Sequence, residues 1–241
     1  MKSSTRGPAP AARLPTRPAA SKRRPKEPAA DPEVPAPGVG EGASTLSSRK
    51  QESVRHAICD QATKLLFAQG FHETTIDDIA KAAGIGRRTF FRYFQTKEDM
   101  VLWKFDQFAR HAVHLLSLRP ASEPGLQALQ HALTEASEFY NQEPTPTLEI
   151  LELTEATPSL YAQQLLQQDR WKEWFAAGLR ARGRISGRSL VPEMTAAVAL
   201  QAMAIAVHCW VKSPGTSLSE AIAQSFSSLR KVLAPKATTS K

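Results

Sequence analysis

Hydrophobic positions repeat at helical spacing from residue 46 onward. Val54, Ile58, Ala62 and Leu65 recur at intervals of three and four, with Ala57 and Leu66 widening the stripe. Gly70 ends this first helix in the left-handed conformation that glycine tolerates. Thr75-Ile76-Asp77-Asp78 follows, a threonine N-cap with an acid three residues on. Ile76, Ile79, Ala80 and Ala83 are then the buried stripe of a short second helix, closed by Gly84. Ile85-Gly86 makes a turn, and Arg87 to Phe94 reads as a third short helix. Thr96-Lys97-Glu98-Asp99 repeats the cap and opens a long fourth helix reaching about Leu118.

The remainder is helical and punctuated by proline. Leu126 to Tyr140 is one helix, and Pro144 and Pro146 precede another containing Leu148 to Ala156. Thr157-Pro158 is an N-cap with proline at the first helical position, starting a long helix through Leu179. Gly183 to Ser189 is a loop, Pro192 opens a helix to about Val211, and Ser217-Leu218-Ser219-Glu220 caps a last helix ending near Pro235. No run alternates as a strand would. The fold expected is all-α, with an N-terminal tri-helical helix-turn-helix and a C-terminal helical bundle.

Residues 1–46 break the pattern. They hold nine of the seventeen prolines and almost no large apolar residues, so the expectation is a disordered arm. Of the net charge of +8, residues 1–50 contribute ten Lys/Arg against four Asp/Glu. Lys22-Arg23-Arg24-Pro25-Lys26 is the densest cluster; a solvated linker is the plainer reading, a non-specific DNA arm the sharper one. The segments are a 1–46 arm, a 48–108 helix-turn-helix domain, a 109–235 helical domain and a 236–241 tail. Met194 to Val211 is apolar nearly all round and sits at the lower edge of a membrane span, yet it carries Gln201 and His208 and has no partner span. Burial between its own core and a second subunit accounts for it better, so a homodimer and no membrane contact are expected. Two cysteines, Cys59 and Cys209, exclude a disulfide scaffold and read as buried small hydrophobes. The composition points to a soluble cytoplasmic protein.

The third helix carries the chemistry. At about 100° per residue, Phe90 and Phe94 share one side, toward Ile76, Ile79, Ala80 and Ile85, while Arg88, Thr89 and Arg92 face the other way with Arg87 in the first turn. Nine residues from Gly86 to Phe94 span roughly 13 Å, a length suited to a major groove about 12 Å wide. Guanidinium groups suit guanine edges and phosphate oxygens, and the Thr89 and Tyr93 hydroxyls suit phosphates or bases. A solvated arginine face is the plain alternative; the position on the second helix of a tight helix-turn-helix favours DNA.

The run from Thr74 to Phe94, TTIDDIAKAAGIGRRTFFRYF, followed by Lys97-Glu98-Asp99, resembles the DNA-binding domain of TetR/AcrR-type transcriptional regulators. The resemblance covers about residues 48–105. It implies an all-helical homodimer that reads a pseudo-palindromic operator and binds a small effector in its C-terminal domain, most often as a repressor. By position it implies DNA contacts at Thr75, Gly86, Arg87, Arg88, Thr89, Phe91, Arg92, Tyr93 and Lys97. Three positions depart from the pattern: Gly86 replaces a frequent Ser or Thr, Arg88 a common glycine and Phe91 a frequent tyrosine. The run Arg87 to Phe94 is similar to a subgroup with an acyl-CoA-like ligand-binding domain, to which mycofactocin-associated regulators belong.

The effector domain is read by texture. Phe105, Phe108, His111, Phe139, Tyr161, Trp171, Trp174 and Phe175 are the candidates for a pocket suited to a lipophilic or acyl-CoA-like molecule. Trp103 and Trp210 add aromatic surface, and His111, His114, Tyr161 and Arg170 are candidate polar anchors. His111 and His114 lack a spaced acid or cysteine partner, so no metal is expected. Gly178, Gly183 and Gly187 form no dinucleotide fingerprint. No catalytic residue, cofactor or enzyme activity is indicated. The competing reading is a helical protein-interaction adaptor without sequence-specific DNA binding.

Overall fold

A computed structural model describes residues 46–234 except 143, 184, 186–188 and 214. The proline-rich arm, its basic cluster, the C-terminal tail and most of the 183–189 loop lie outside the described residues. Among those described there are nine helices and no strand: α1 (Leu46–Gln69), α2 (Ile76–Ala82), α3 (Arg87–Tyr93), α4 (Lys97–Leu118), α5 (Gly125–Gln142), α6 (Pro144–Ala156), α7 (Pro158–Gly183), α8 (Val191–Lys212) and α9 (Leu218–Leu233).

Local signals set the ends. Thr75 with Asp78, Thr96 with Asp99 and Ser217 with Glu220 each form a reciprocal capping box. Gly70 and Gly84 take positive φ, +88° and +66°, where a side chain would be strained. α6 starts earlier than its prolines suggest: Pro144 and Pro146 sit within its first turn, where a missing N–H costs no helical bond.

Two apolar clusters share α4. The first gathers Ile58, Ala62 and Leu66 of α1 with Ile79, Phe90 and Phe94, and adds Met100 to Trp103 from the start of α4. Ala57 does not widen the α1 stripe; it is exposed. Ile150 of α6 and Leu160 of α7 close this cluster from the C-terminal side. The second runs from Phe108 to Leu116 of α4 into α5, α7, α8 and α9. The expected boundary at 108/109 therefore falls inside one continuous helix.

α8 passes the length and composition test for a membrane span. It nevertheless packs on α5, α7 and α9, burying Ala196, Ala199, Met203, Ala206 and Trp210. Its opposite side leaves Met194, Ile205 and Cys209 exposed. Cys209 thus corrects the expectation of two buried thiols. It lies on the outer face of α8, whereas burial pushes the Cys59 thiol up to about 12.

Candidate functional site

The α2–α3 turn fixes the presentation of α3. Ile85 N–H donates to the Ala80 carbonyl at 2.9 Å and Gly84 N–H to Lys81 at 3.1 Å, closing α2 tightly. Gly86 then caps α3 by its carbonyl, which accepts from Thr89 (2.8 Å) and Phe90 (3.1 Å), with no side-chain cap. A Cβ at Gly86 would meet nothing within 4 Å, so the missing side chain leaves the start of α3 open to an approaching backbone. The helix is seven residues, shorter than the nine expected because Gly86 and Phe94 are its caps. Phe90 is 0% exposed and Phe94 is buried beneath it, ring centroids 5.8 Å apart.

The nine residues expected at DNA divide by what their side chains already do. Arg88 and Arg92 are exposed. Arg92 lies over the Tyr93 ring at 5.1 Å and donates to its hydroxyl at 3.4 Å. Thr89 and Tyr93 are half-buried on the flanks of the helix. Arg87 pairs with Asp77 of α2 at 2.8 Å and covers the Phe91 ring, 44% exposed, at 5.5 Å. Thr75 is exposed, but its hydroxyl serves the capping box with Asp78. Lys97 is half-buried: its ammonium donates to the Phe71 carbonyl and to the Thr74 carbonyl (2.8 Å) and sits 4.1 Å from the Phe71 ring centroid. Desolvation lowers its pKa against the pull of Glu98 and Glu73. Lys97 therefore ties α4 to the α1–α2 loop, a role that its place in the sequence did not reveal.

A cavity of about 310 Å³ opens in the C-terminal bundle. Phe105 and Phe108 of α4, Tyr140 of α5, and Thr147, Leu151 and Glu155 of α6 form one side. Tyr161, Gln164, Leu165, Gln168 and Trp171 of α7 form another, and α8 supplies Gln201, Met203, Val207, His208 and Trp210. Four of the eight expected lining residues are here: Phe105, Phe108, Tyr161 and Trp171. The other four need correction. Phe139 is 74% exposed, because adjacent helical residues point about 100° apart and Tyr140 takes the inward direction. His111 is exposed three residues beyond Phe108, as is His114. Trp174 and Phe175 lie about one turn past Trp171 and are packed in the core, Trp174 beneath Arg110 at 4.5 Å. Among the candidate anchors, Tyr161 lines the cavity, whereas Arg170 pairs with Asp106 at 3.3 Å. The glutamines were missed because amides at helical spacing read as a solvated face.

The neighbouring side of α7 is bonded to α4 along three turns. Gln163 Nε2 donates to Asp99 Oδ1 (2.9 Å), Gln167 Nε2 to the Leu102 carbonyl (3.0 Å) and Trp171 Nε1 to Asp106 Oδ1 (2.7 Å). Asp99 is also the acid of the α4 capping box, so the ladder ends at the joint with the helix-turn-helix. Gln167 is buried and its Oε1 has no hydrogen-bond partner among the described residues. Gly178 permits this approach: a Cβ there would come within 3.2 Å of Leu116.

Comparison with known proteins matches both halves. Residues 58–102 match the family described as bacterial regulatory proteins, tetR family, and residues 123–234 match the MftR C-terminal domain. The chain is 30% identical over 181 residues to MftR of Mycobacterium tuberculosis, named as a mycofactocin biosynthesis transcriptional regulator, covering 74% of this chain and 90% of that one. It is 30% identical over 143 residues to the HTH-type transcriptional regulator TcmR of Streptomyces glaucescens, covering 57% and 63%. In fold it is similar to a TetR-family regulator from Syntrophomonas wolfei, with a TM-score of 0.57 at 19% identity, covering 78% of this chain and 99% of that one. The chain belongs to the TetR family of DNA-binding transcriptional regulators, with a C-terminal domain of the MftR type.

Proposed function

We propose that the chain is a cytoplasmic homodimeric repressor that leaves a pseudo-palindromic operator when a small lipophilic or acyl-CoA-like molecule fills the cavity. The observation that carries this reading is the two-sidedness of α3. Phe90 and Phe94 lock one side into the core, and Arg88 and Arg92 present charge on the other. Thr89, Phe91 and Tyr93 flank that surface, Gly86 leaves room at its start, and Arg87 is held in place by Asp77. Thr75 and Lys97 act by shaping the surface.

The outer face of α8 and α9 supports dimerisation. It forms an apolar groove of about 590 Å³ lined by Val198, Ile205, Cys209, Leu229 and Val232. Covering it with a second copy removes exposed apolar area and sets two α3 helices on one duplex, about 34–36 Å or a multiple apart. The α7–α4 ladder supports a route from cavity to DNA: a ligand that displaces α7 pulls on Asp99 and so on the root of the helix-turn-helix. By linkage, operator DNA then weakens ligand binding by the same factor.

Fluorescence anisotropy with labelled DNA flanking the protein's own gene tests this. Saturable, salt-sensitive binding by a dimer, released by members of an acyl-CoA series, is the expected result. Absence of binding preference for any flanking segment over random DNA rejects the operator reading. Release by an unrelated polar metabolite alone rejects the lipophilic effector.

A further inference from the structure

The charge lining the cavity is one-sided. Glu155 and His208, 3.4 Å apart and both half-exposed, are the acidic and basic groups of the lining; among the described residues no lysine or arginine contributes. With one carboxylate and one imidazole, already paired with each other, the wall carries no net positive charge. The arginines on the flanking helices are occupied elsewhere, Arg170 by Asp106 and Arg110 by the Trp174 ring.

The rest of the polar lining is neutral. Gln164, Gln168 and Gln201 offer amides that donate and accept, which suits an ester, amide or hydroxyl. Aromatic faces from Phe105, Phe108 and Trp171 favour hydrocarbon or a cation over an anion. A carboxylate placed here would lose water, would meet His208 already paired with Glu155, and would find no lysine or arginine among the described lining residues.

We infer that the cavity admits apolar molecules whose buried head is uncharged or cationic and excludes those with an anionic head, Glu155 being the discriminating side chain. The inference rests on the cavity being the effector site. It separates two sources of the same apolar chain. At the end of the acyl chain the thioester presents a neutral carbonyl, its phosphates lying farther off along the pantetheine arm, whereas the free fatty acid presents a carboxylate at that point.

Decanoate, methyl decanoate and decyltrimethylammonium carry chains of similar length and differ in head charge. Each is titrated into the full-length protein below its micellar concentration. Binding is read by calorimetry and by the emission of Trp171 and Trp210, both of which line the cavity. The ester and the ammonium are expected to bind, and decanoate to bind about tenfold more weakly, the scale of one like charge partly screened by solvent near the head. Glu155→Gln should raise decanoate toward the ester, weaken the ammonium and leave the ester unchanged. Because Glu155 is half-exposed, the variant keeps the parent melting curve. Equal affinity of the parent for decanoate and ester overturns the inference, as does a decanoate deficit that survives in Glu155→Gln. Silence toward all three probes removes the cavity as a ligand site, and the inference with it, while leaving operator binding standing.

Discussion

Replacing Arg88 and Arg92 together by alanine separates the fold of the helix-turn-helix from its contact with DNA. Arg88 is exposed and holds no ion pair among the described residues. Arg92 loses an exposed stacking contact with Tyr93, worth about 0.5–1 kcal/mol. The melting temperature should therefore fall by a few degrees at most. The cost on DNA is larger, because each substitution occurs twice in a dimer. If an arginine reads guanine bidentately, at about 1–3 kcal/mol per contact, its loss costs about 2–6 kcal/mol per operator and relaxes one base position in each half-site. If both only neutralise phosphates, four contacts vanish and the slope of log K against log salt flattens by about 3.6. Anisotropy titrations at several salt concentrations, with operator and base-substituted duplexes, distinguish the two. A folded double variant with the parent's affinity and salt slope would show that α3 does not enter the groove.

Phe90→Ala removes a fully buried ring and should destabilise the domain by about 3–5 kcal/mol in a thermal melt, with operator binding lost through unfolding. Lys97→Met leaves the Phe71 and Thr74 carbonyls without their donor and should cost about 1–3 kcal/mol by denaturant titration; unchanged stability with weakened operator binding would instead make Lys97 a phosphate contact. The Thr75 hydroxyl and backbone hold the Asp78 carboxyl below the usual range, so the capping box contributes fully above that range and loses its contribution as pH falls through the depressed value. Amide chemical shifts of α2 followed into acid should show this loss, and Asp78→Asn should abolish the dependence. Ile205→Asp, on the α8 groove, should yield monomers in sedimentation with helicity intact.

The caps and turns were legible in the sequence because their chemistry is local. Three Thr/Ser-x-x-acid runs became capping boxes, and Gly70 and Gly84 took the left-handed conformations that their positions demand. The two faces of α3 were legible for the same reason, since a seven-residue helix leaves little freedom in where Phe90 and Arg88 point. The cavity was legible only as an excess of aromatics. Phe139 and Tyr140 are neighbours of similar chemistry, and only the docking of α5 decides which of them faces inward. Gln164 and Gln168 line a cavity while Gln163 and Gln167, one residue earlier, bond α4; composition cannot sort four glutamines on one helix. Lys97 resembled a DNA contact because the two carbonyls that hold it lie more than twenty residues away in the chain.

The angular division of α7 bears on how such a protein changes its specificity. On the proposed reading of the cavity as the effector site, Tyr161, Gln164, Leu165 and Gln168 would meet the ligand, whereas Gln163 and Gln167 hold α4. Substitutions in the first set can retune what is sensed without altering the linkage that transmits it. Substitutions in the second can retune the response threshold without altering what is sensed. Trp171 belongs to both sets, its ring in the cavity wall and its indole N–H on Asp106. On that reading sensing and transmission would be free to drift independently at these positions, while at Trp171 a change in appetite would also be a change in reflex.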